Sequence, residues 1–203
     1  MAKINRERVI AEALALLDEV GLDGMSTRRL AQRLGVEQPS LYWHFKGKDA
    51  LLTAMAEEAM APHVATPPPS PDDDWREWFL ENYRSFRRTL LLHRDGARLH
   101  AGTFPSGGAL DVLLRKIAFM TVNGIPEEHV QMAMMAAGQL TVGSALEEQA
   151  ASTGPLPPSP LPSDHARGFE AGLRLLVDGL ARHQVHVGAV PSTPGPTQAL
   201  ADT

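Results

Sequence analysis

Apolar residues recur every three or four positions along most of this chain, and clusters of Gly, Pro or Asp interrupt them. Val9, Ala13, Leu16, Leu17 and Val20 mark one face of a first helix, predicted from about Asn5 to Val20, with Asn5 capping its exposed amides. Gly21 and Gly24 end it. Ser26 or Thr27 then caps a short second helix from Arg28 to Leu34, whose Leu30 and Leu34 face inward. Gly35 suits the positive backbone angle of a tight inter-helix turn. A brief third helix is predicted from Gln38-Pro39 to about His44, Pro39 fitting a first helical position because its missing amide has no partner there. Lys46-Gly47 makes the next turn.

A fourth helix is expected from Lys48 to about Met60, carrying Leu51, Leu52 and Met55. Thr66 to Pro71, with four prolines, is a connector. Asp72 to Asp74 precede a fifth helix, Trp75 to Leu92, where negative charge meets the positive helix end. Further helices are expected near Leu99 and His100, at Ala109–Val122, at Glu127–Ala150 and at Ser163–His183. Prolines 155 to 162 mark a loop. The expected fold is all-α: a three-helix helix-turn-helix head (1–47), a larger helical ligand-binding and dimerisation body (48–184), and a disordered tail (185–203) rich in Pro, Gly, Ser and Thr.

Composition narrows the classes. The chain is 43% hydrophobic and only 5% aromatic, rich in Ala, Leu and Met, which favours a helical core. Absence of cysteine excludes a disulfide scaffold, a thiolate metal site and cysteine catalysis. The N-terminal residues lack a signal-peptide pattern and no run is apolar enough for a membrane span, so a cytoplasmic protein without membrane contact is expected. The net charge of −5 divides unevenly: residues 1–48 carry eight Lys/Arg against six Asp/Glu, and the rest eleven against eighteen. Arg28, Arg29, Arg33, Lys46 and Lys48 give the head a basic surface suited to phosphates.

A third helix of about seven residues buries little apolar area, which makes sense if its outer face enters a major groove. Gln38 pairs bidentately with an adenine edge and Arg28 with guanine. Pro39, Ser40 and Tyr42 offer apolar or hydroxyl contacts, Trp43 and His44 donate to the DNA backbone, and Lys48 stands where open helix amides attract phosphate. The same spacing also fits a three-helix bundle with a polar face. In that case Tyr42 and Trp43 are core, and Arg29 and Arg33 are solvated charges.

The words of the sequence go beyond the pattern. Leu22 to Lys46 resembles the head of the TetR family of transcriptional regulators, and the run Glu37-Gln38-Pro39 with Leu41-Tyr42-Trp43-His44 resembles its tetracycline-repressor branch. The resemblance implies operator contacts from Arg28, Gln38, Pro39, Ser40, Tyr42 and Trp43, and phosphate contacts from Thr27, His44 and Lys48. Ser40 replaces a usual Thr. The likeness continues through Trp75, Asn82, Ser85-Phe86-Arg87, His93 to Ala97, His100, Thr103, Pro105, Thr141 and Glu147.

Asn82 and Phe86 are four apart, so an amide and a ring share one helix face, a combination that orients a planar polar ligand. His100 and Glu147 are N and O donors, and two isolated donors specify no metal by themselves. The resemblance implies more: His100 and Glu147 at a magnesium ion carried in by a chelating inducer, with no intrinsic cofactor. It implies a pocket of Val64, Asn82, Phe86, His100, Thr103, Pro105, Leu113, Lys116, Met134 and Gly138. Three positions depart from the family, with Val64 for a His, Lys116 for a Gln and Phe104 for an Arg. The inducer is then tetracycline, a related polyketide or a different effector.

Ala133, Ala137, Gly138, Thr141 and Ala145 on the long helix let another helix approach closely, as do Gly172 and Gly179 on the last, with Leu173, Leu176 and Leu180. These are read as a homodimer interface, with internal packing the alternative. The implied function is a non-enzymatic repressor, a homodimer on palindromic double-stranded operator DNA that a small-molecule inducer releases. A metal hydrolase built on His93, Asp95, His100 and Glu147 lacks any HExxH-like spacing. A DNA-binding dimer without an effector is the other alternative.

Overall fold

In the computed structural model the described residues are 4–103, 107–152 and 164–185. Pro105, Phe104, the prolines at 155–162 and the tail from residue 186 lie outside them. The described residues are helical, with no strand among them. Helix α1 (Arg6–Gly24) is capped by Asn5, whose side chain accepts from the Arg8 amide. It continues past Gly21 as a kinked last turn, because Gly21 adopts φ 69°. Ser26 caps α2 (Thr27–Leu34), and Gly35 closes it at φ 68° with its amide bonded back to Ala31 and Gln32.

The next segment, Gln38–Trp43, is a 3₁₀ helix rather than an α-helix. Its bonds run three residues back, Ser40 to Glu37 and His44 to Leu41, and the winding keeps only Leu41 buried. Helix α3 (Lys48–Ala59) follows. The one-turn α4 (Ala61–Val64) comes next, with Pro62, which has no amide to donate, in its first turn. Helices α5 (Trp75–Leu90), α6 (Gly96–His100), α7 (Gly108–Val122), α8 (Glu127–Ala151) and α9 (His165–Ala181) complete the chain.

The head's core does not stop at residue 47. Val9, Leu17, Leu30, Leu41 and Phe45 pack with Leu51 and Met55 of α3 and with Leu99 of α6. The body has its own core, where Phe79, Met120, Val130 and Leu173 are fully buried, each worth about 1.5–3 kcal/mol. The Tyr83 hydroxyl donates to the Met134 carbonyl at 2.9 Å and ties α5 to α8.

The small residues of α8 serve this core. Ala133, Ala137, Thr141 and Ala145 are at most 8% exposed within one chain, and so are Leu173 and Leu180 of α9. A Cβ on Gly172 would come within 2.8 Å of Leu140, so α9 presses on α8 there. For these residues the expected contact with a partner gives way to internal packing, while Gly138 and Gly179 of the same expectation have open space beside them. A small-residue stripe marks close helix approach and does not say whose helix approaches.

Polar clasps join head to body where the end of α1 meets α6. Asp18 accepts from the Arg94 amide at 2.9 Å and pairs with His93, and Arg98 pairs with Asp23 at 2.9 Å. The kink at Gly21 aims the Leu22 amide at the Asp95 carboxylate, 2.8 Å away. From α8, the Gln149 side-chain amide donates to the carbonyls of Leu90 and His93, and its oxygen accepts from the Ala97 amide.

Candidate DNA-reading head and ligand pocket

The 3₁₀ segment presents its polar side outward. Trp43 is 89% exposed and Tyr42 49%, while Leu41 and Phe45 beside them are buried. Neither Tyr42 nor Trp43 is core. A side chain as large as Trp43 left in water by the folded chain offers contact area to something else. Gln38 is held from both sides, its amide nitrogen donating to Thr27 Oγ1 at 2.9 Å and to the Tyr42 hydroxyl at 3.2 Å. Thr27 on α2 and Gln38 and Tyr42 on the next helix thus form one polar patch.

Arg28 and Pro39 are exposed next to that patch, Ser40 and His44 are half-buried, and Lys48 is exposed at the start of α3. Arg33 turns the other way, bonding Glu12 at 2.8 Å and Glu19 at 2.7 Å, which raises its already high pKa. Arg29 bonds the Gly24 carbonyl. These two arginines brace the head.

In the body, α4, α5, α6 and α7 converge on an aromatic and basic cluster. The His63 ring stacks on Phe86 with centroids 5.3 Å apart, and Phe86 meets His100 edge-on at 5.1 Å. Lys116 Nζ lies 3.5 Å from His63 Nε2, and His63 Nδ1 lies 3.2 Å from Ser85 Oγ. Burial, followed by the neighbouring charges of Lys116, His100 and Arg88, pushes His63 down to about 3. Burial alone lowers Lys116 to about 8 and also lowers His100.

The Thr103 hydroxyl donates to the His100 carbonyl at 2.8 Å, so its lone pair faces His100 Nδ1 at 3.3 Å. Nδ1 therefore carries the proton, and Nε2 keeps the lone pair that a metal would use.

Of the residues singled out from the sequence, Phe86, His100, Thr103 and Lys116 come together here. Asn82 lies one turn before Phe86 on α5 and is buried. Leu113 packs half-buried on α7, Met134 lies in the body core, and Gly138 has open space where a side chain would begin. Val64 is 41% exposed. His63, one position earlier, supplies the ring, and the sequence reading passed over it. Its signal was a His within one residue of the expected place, just after the helix-breaking Pro62.

Glu147 is exposed on α8, 3.6 Å from His165, and no group of three metal-binding side chains exists among the described residues. The four candidate hydrolase residues are dispersed: His93 pairs with Asp18, Asp95 holds the Leu22 amide, His100 meets Phe86 edge-on and Glu147 faces solvent.

A groove-sized helix-turn-helix clasped to a helical body with a buried polar-aromatic cluster defines a DNA-binding regulator whose body senses a small molecule. Comparison with known proteins gives the family. Residues 9–55 match the bacterial regulatory proteins of the tetR family, and residues 67–160 match the tetracyclin repressor-like C-terminal domain. The chain belongs to the TetR family of transcriptional regulators, which are not enzymes.

It is 42% identical to the tetracycline repressor protein class A from transposon 1721 of Escherichia coli, over 92% of this chain and 95% of that one. A TetR-family regulator of known structure from Streptomyces coelicolor is 62% identical, with TM-score 0.71 over 88% of this chain and 99% of that one. The class A repressor in complex with 5a,6-anhydrotetracycline and magnesium is 43% identical, with TM-score 0.74 over 87% of this chain and 97% of that one.

Proposed function

We propose that this chain is a cytoplasmic repressor that binds a palindromic operator as a homodimer and releases it when a planar inducer enters the His63–Phe86–His100 pocket. The observation that carries this reading is the position of α6, which supplies Leu99 to the head's core and His100 to the pocket. A ligand that moves His100 moves a buried contact of the DNA-reading unit. Only the difference in its affinity for the two arrangements shifts the DNA equilibrium.

Arg28, Gln38, Pro39, Ser40, Tyr42 and Trp43 read bases, while Thr27, His44 and Lys48 hold phosphates. One short segment offers few base contacts, so two heads on a two-fold axis are needed, spaced about one helical turn apart. Leu175 of α9 and Met132 and Met135 of α8, all more than half exposed in the single chain, supply apolar surface for the second copy. Among the described residues no helix is long and apolar enough to cross a membrane.

A tetracycline-type inducer with magnesium fits what His100 offers. Magnesium prefers oxygen ligands and keeps several waters. A single imidazole with Glu147 out in solvent therefore suits an ion that arrives already chelated, not a resident one. His100 would hold the ion that the inducer brings, with Thr103 fixing the ring and Asn82 and Phe86 orienting the inducer. Calorimetric titration with tetracycline tests this: binding should require magnesium and weaken in a His100→Ala variant. Equal binding with and without magnesium rejects the metal role.

A further inference from the structure

The cluster around Phe86 is basic, and none of the ion pairs among the described residues neutralises it. His63 from α4 and His100 from α6 flank Phe86, Lys116 from α7 reaches His63, and Arg88 of α5 adds to the positive field at His63. Among the described residues no Asp or Glu forms an ion pair with Lys116, His63 or His100, and the three residues after Thr103, Phe104-Pro105-Ser106, include no acid. Burial is the cause of the lowered Lys116 pKa, with no carboxylate opposing it.

The hydrogen bonds set a direction. A neutral His63 accepts from the Lys116 ammonium at Nε2 and donates from Nδ1 to Ser85. That uses one of the three ammonium hydrogens. A half-buried cation with one neutral partner is under-compensated, and an anion beside it would restore the balance. The aromatic rings of His63, Phe86 and His100 gathered beside Lys116 favour a carrier with a planar ring system.

We propose that the pocket selects a planar ligand bearing an acidic group, a carboxylate or an ionised enol, and that Lys116 is the residue that pairs with it. This deepens the reading of the cluster as the inducer site and rests on it. The Lys116–His63–Ser85 chain then acts as the specificity element, with His100 free to take the ligand's chelated edge.

The test uses the full chain and two probes of one shape, 3-hydroxy-2-naphthoate and its neutral carboxamide, titrated calorimetrically near neutral pH. Wild type should bind the acid about tenfold or more tighter than the amide, the gain expected of a charge-assisted pair. In Lys116→Met the ratio should collapse toward one, and in Lys116→Arg it should survive. Equal binding of acid and amide by wild type, a ratio unchanged in Lys116→Met, or no binding of either probe overturns the proposal. Equally tight binding of inorganic phosphate overturns it too, since that would make the site one for any anion. The underlying reading stands or falls separately: Phe86→Ala should weaken both probes, and unchanged binding there would place them outside the pocket.

Discussion

Leu99 and His100 are neighbours on α6 that belong to different parts of the molecule: Leu99 is buried in the head's core with α1 and α3, while the His100 ring lies edge-on to Phe86 in the body. Five residues long, α6 has little capacity to deform without moving both ends. Close-packed interfaces tend to switch between discrete arrangements rather than flex. Gln149 from α8 and the Asp18, Asp23 and Asp95 clasps then define the surface on which α6 moves.

Truncating Leu99 to Ala should lower stability by about 2–5 kcal/mol, read from the urea midpoint. In the fraction that stays folded, operator affinity should persist while its response to inducer shrinks. An unchanged midpoint and response would remove Leu99 from the coupling route.

His100→Ala should leave operator affinity within about twofold of wild type, since the ring is remote from the reading face. Release by tetracycline with magnesium should require a much higher inducer concentration in a gel-shift titration. An unchanged titration curve argues that the inducer is held elsewhere.

Trp43 separates function from folding. At 89% exposed, its replacement by Ala should change stability by no more than about 0.5 kcal/mol. Operator binding should weaken by about 1–3 kcal/mol, the loss of one DNA contact. Full operator affinity in the variant contradicts the proposed reading face.

Much of this was legible beforehand because its signals are local. Asn5, Ser26, Gly35 and Asp74 cap or end helices within a residue or two of where their chemistry places them. The 3₁₀ winding of Gln38–Trp43 was not legible, since six residues hold too few apolar positions to tell a threefold turn from a 3.6-fold one. His63 was missed because a helical position turns about 100° per residue. One step between Val64 and His63 therefore decides which side chain meets Phe86. Ala133, Ala137, Thr141 and Ala145 were misplaced because burial within the chain and burial against a partner favour the same small residues.

His63 gives a pH dependence. Its folded pKa of about 3 lies below the ordinary 6.5, so the unfolded chain binds the proton more readily between these values. Stability contributed by the neutral ring is present above about pH 6.5 and is lost as pH falls toward 3, with a slope of at most about 1.4 kcal/mol per pH unit. A His63→Gln variant should lack this component when urea midpoints are compared across that range. Parallel curves for the two proteins would mean that His63 titrates normally.

The most direct test of the coupling between pocket and head is fluorescence anisotropy of a labelled symmetric duplex, selected from a random pool, at moderate ionic strength. The protein should hold it at least about 1000-fold tighter than a scrambled duplex, and tetracycline with magnesium should release it in wild type far more readily than in His100→Ala. Equal affinity for symmetric and scrambled duplexes, or DNA binding indifferent to every ligand that enters the pocket, contradicts the account.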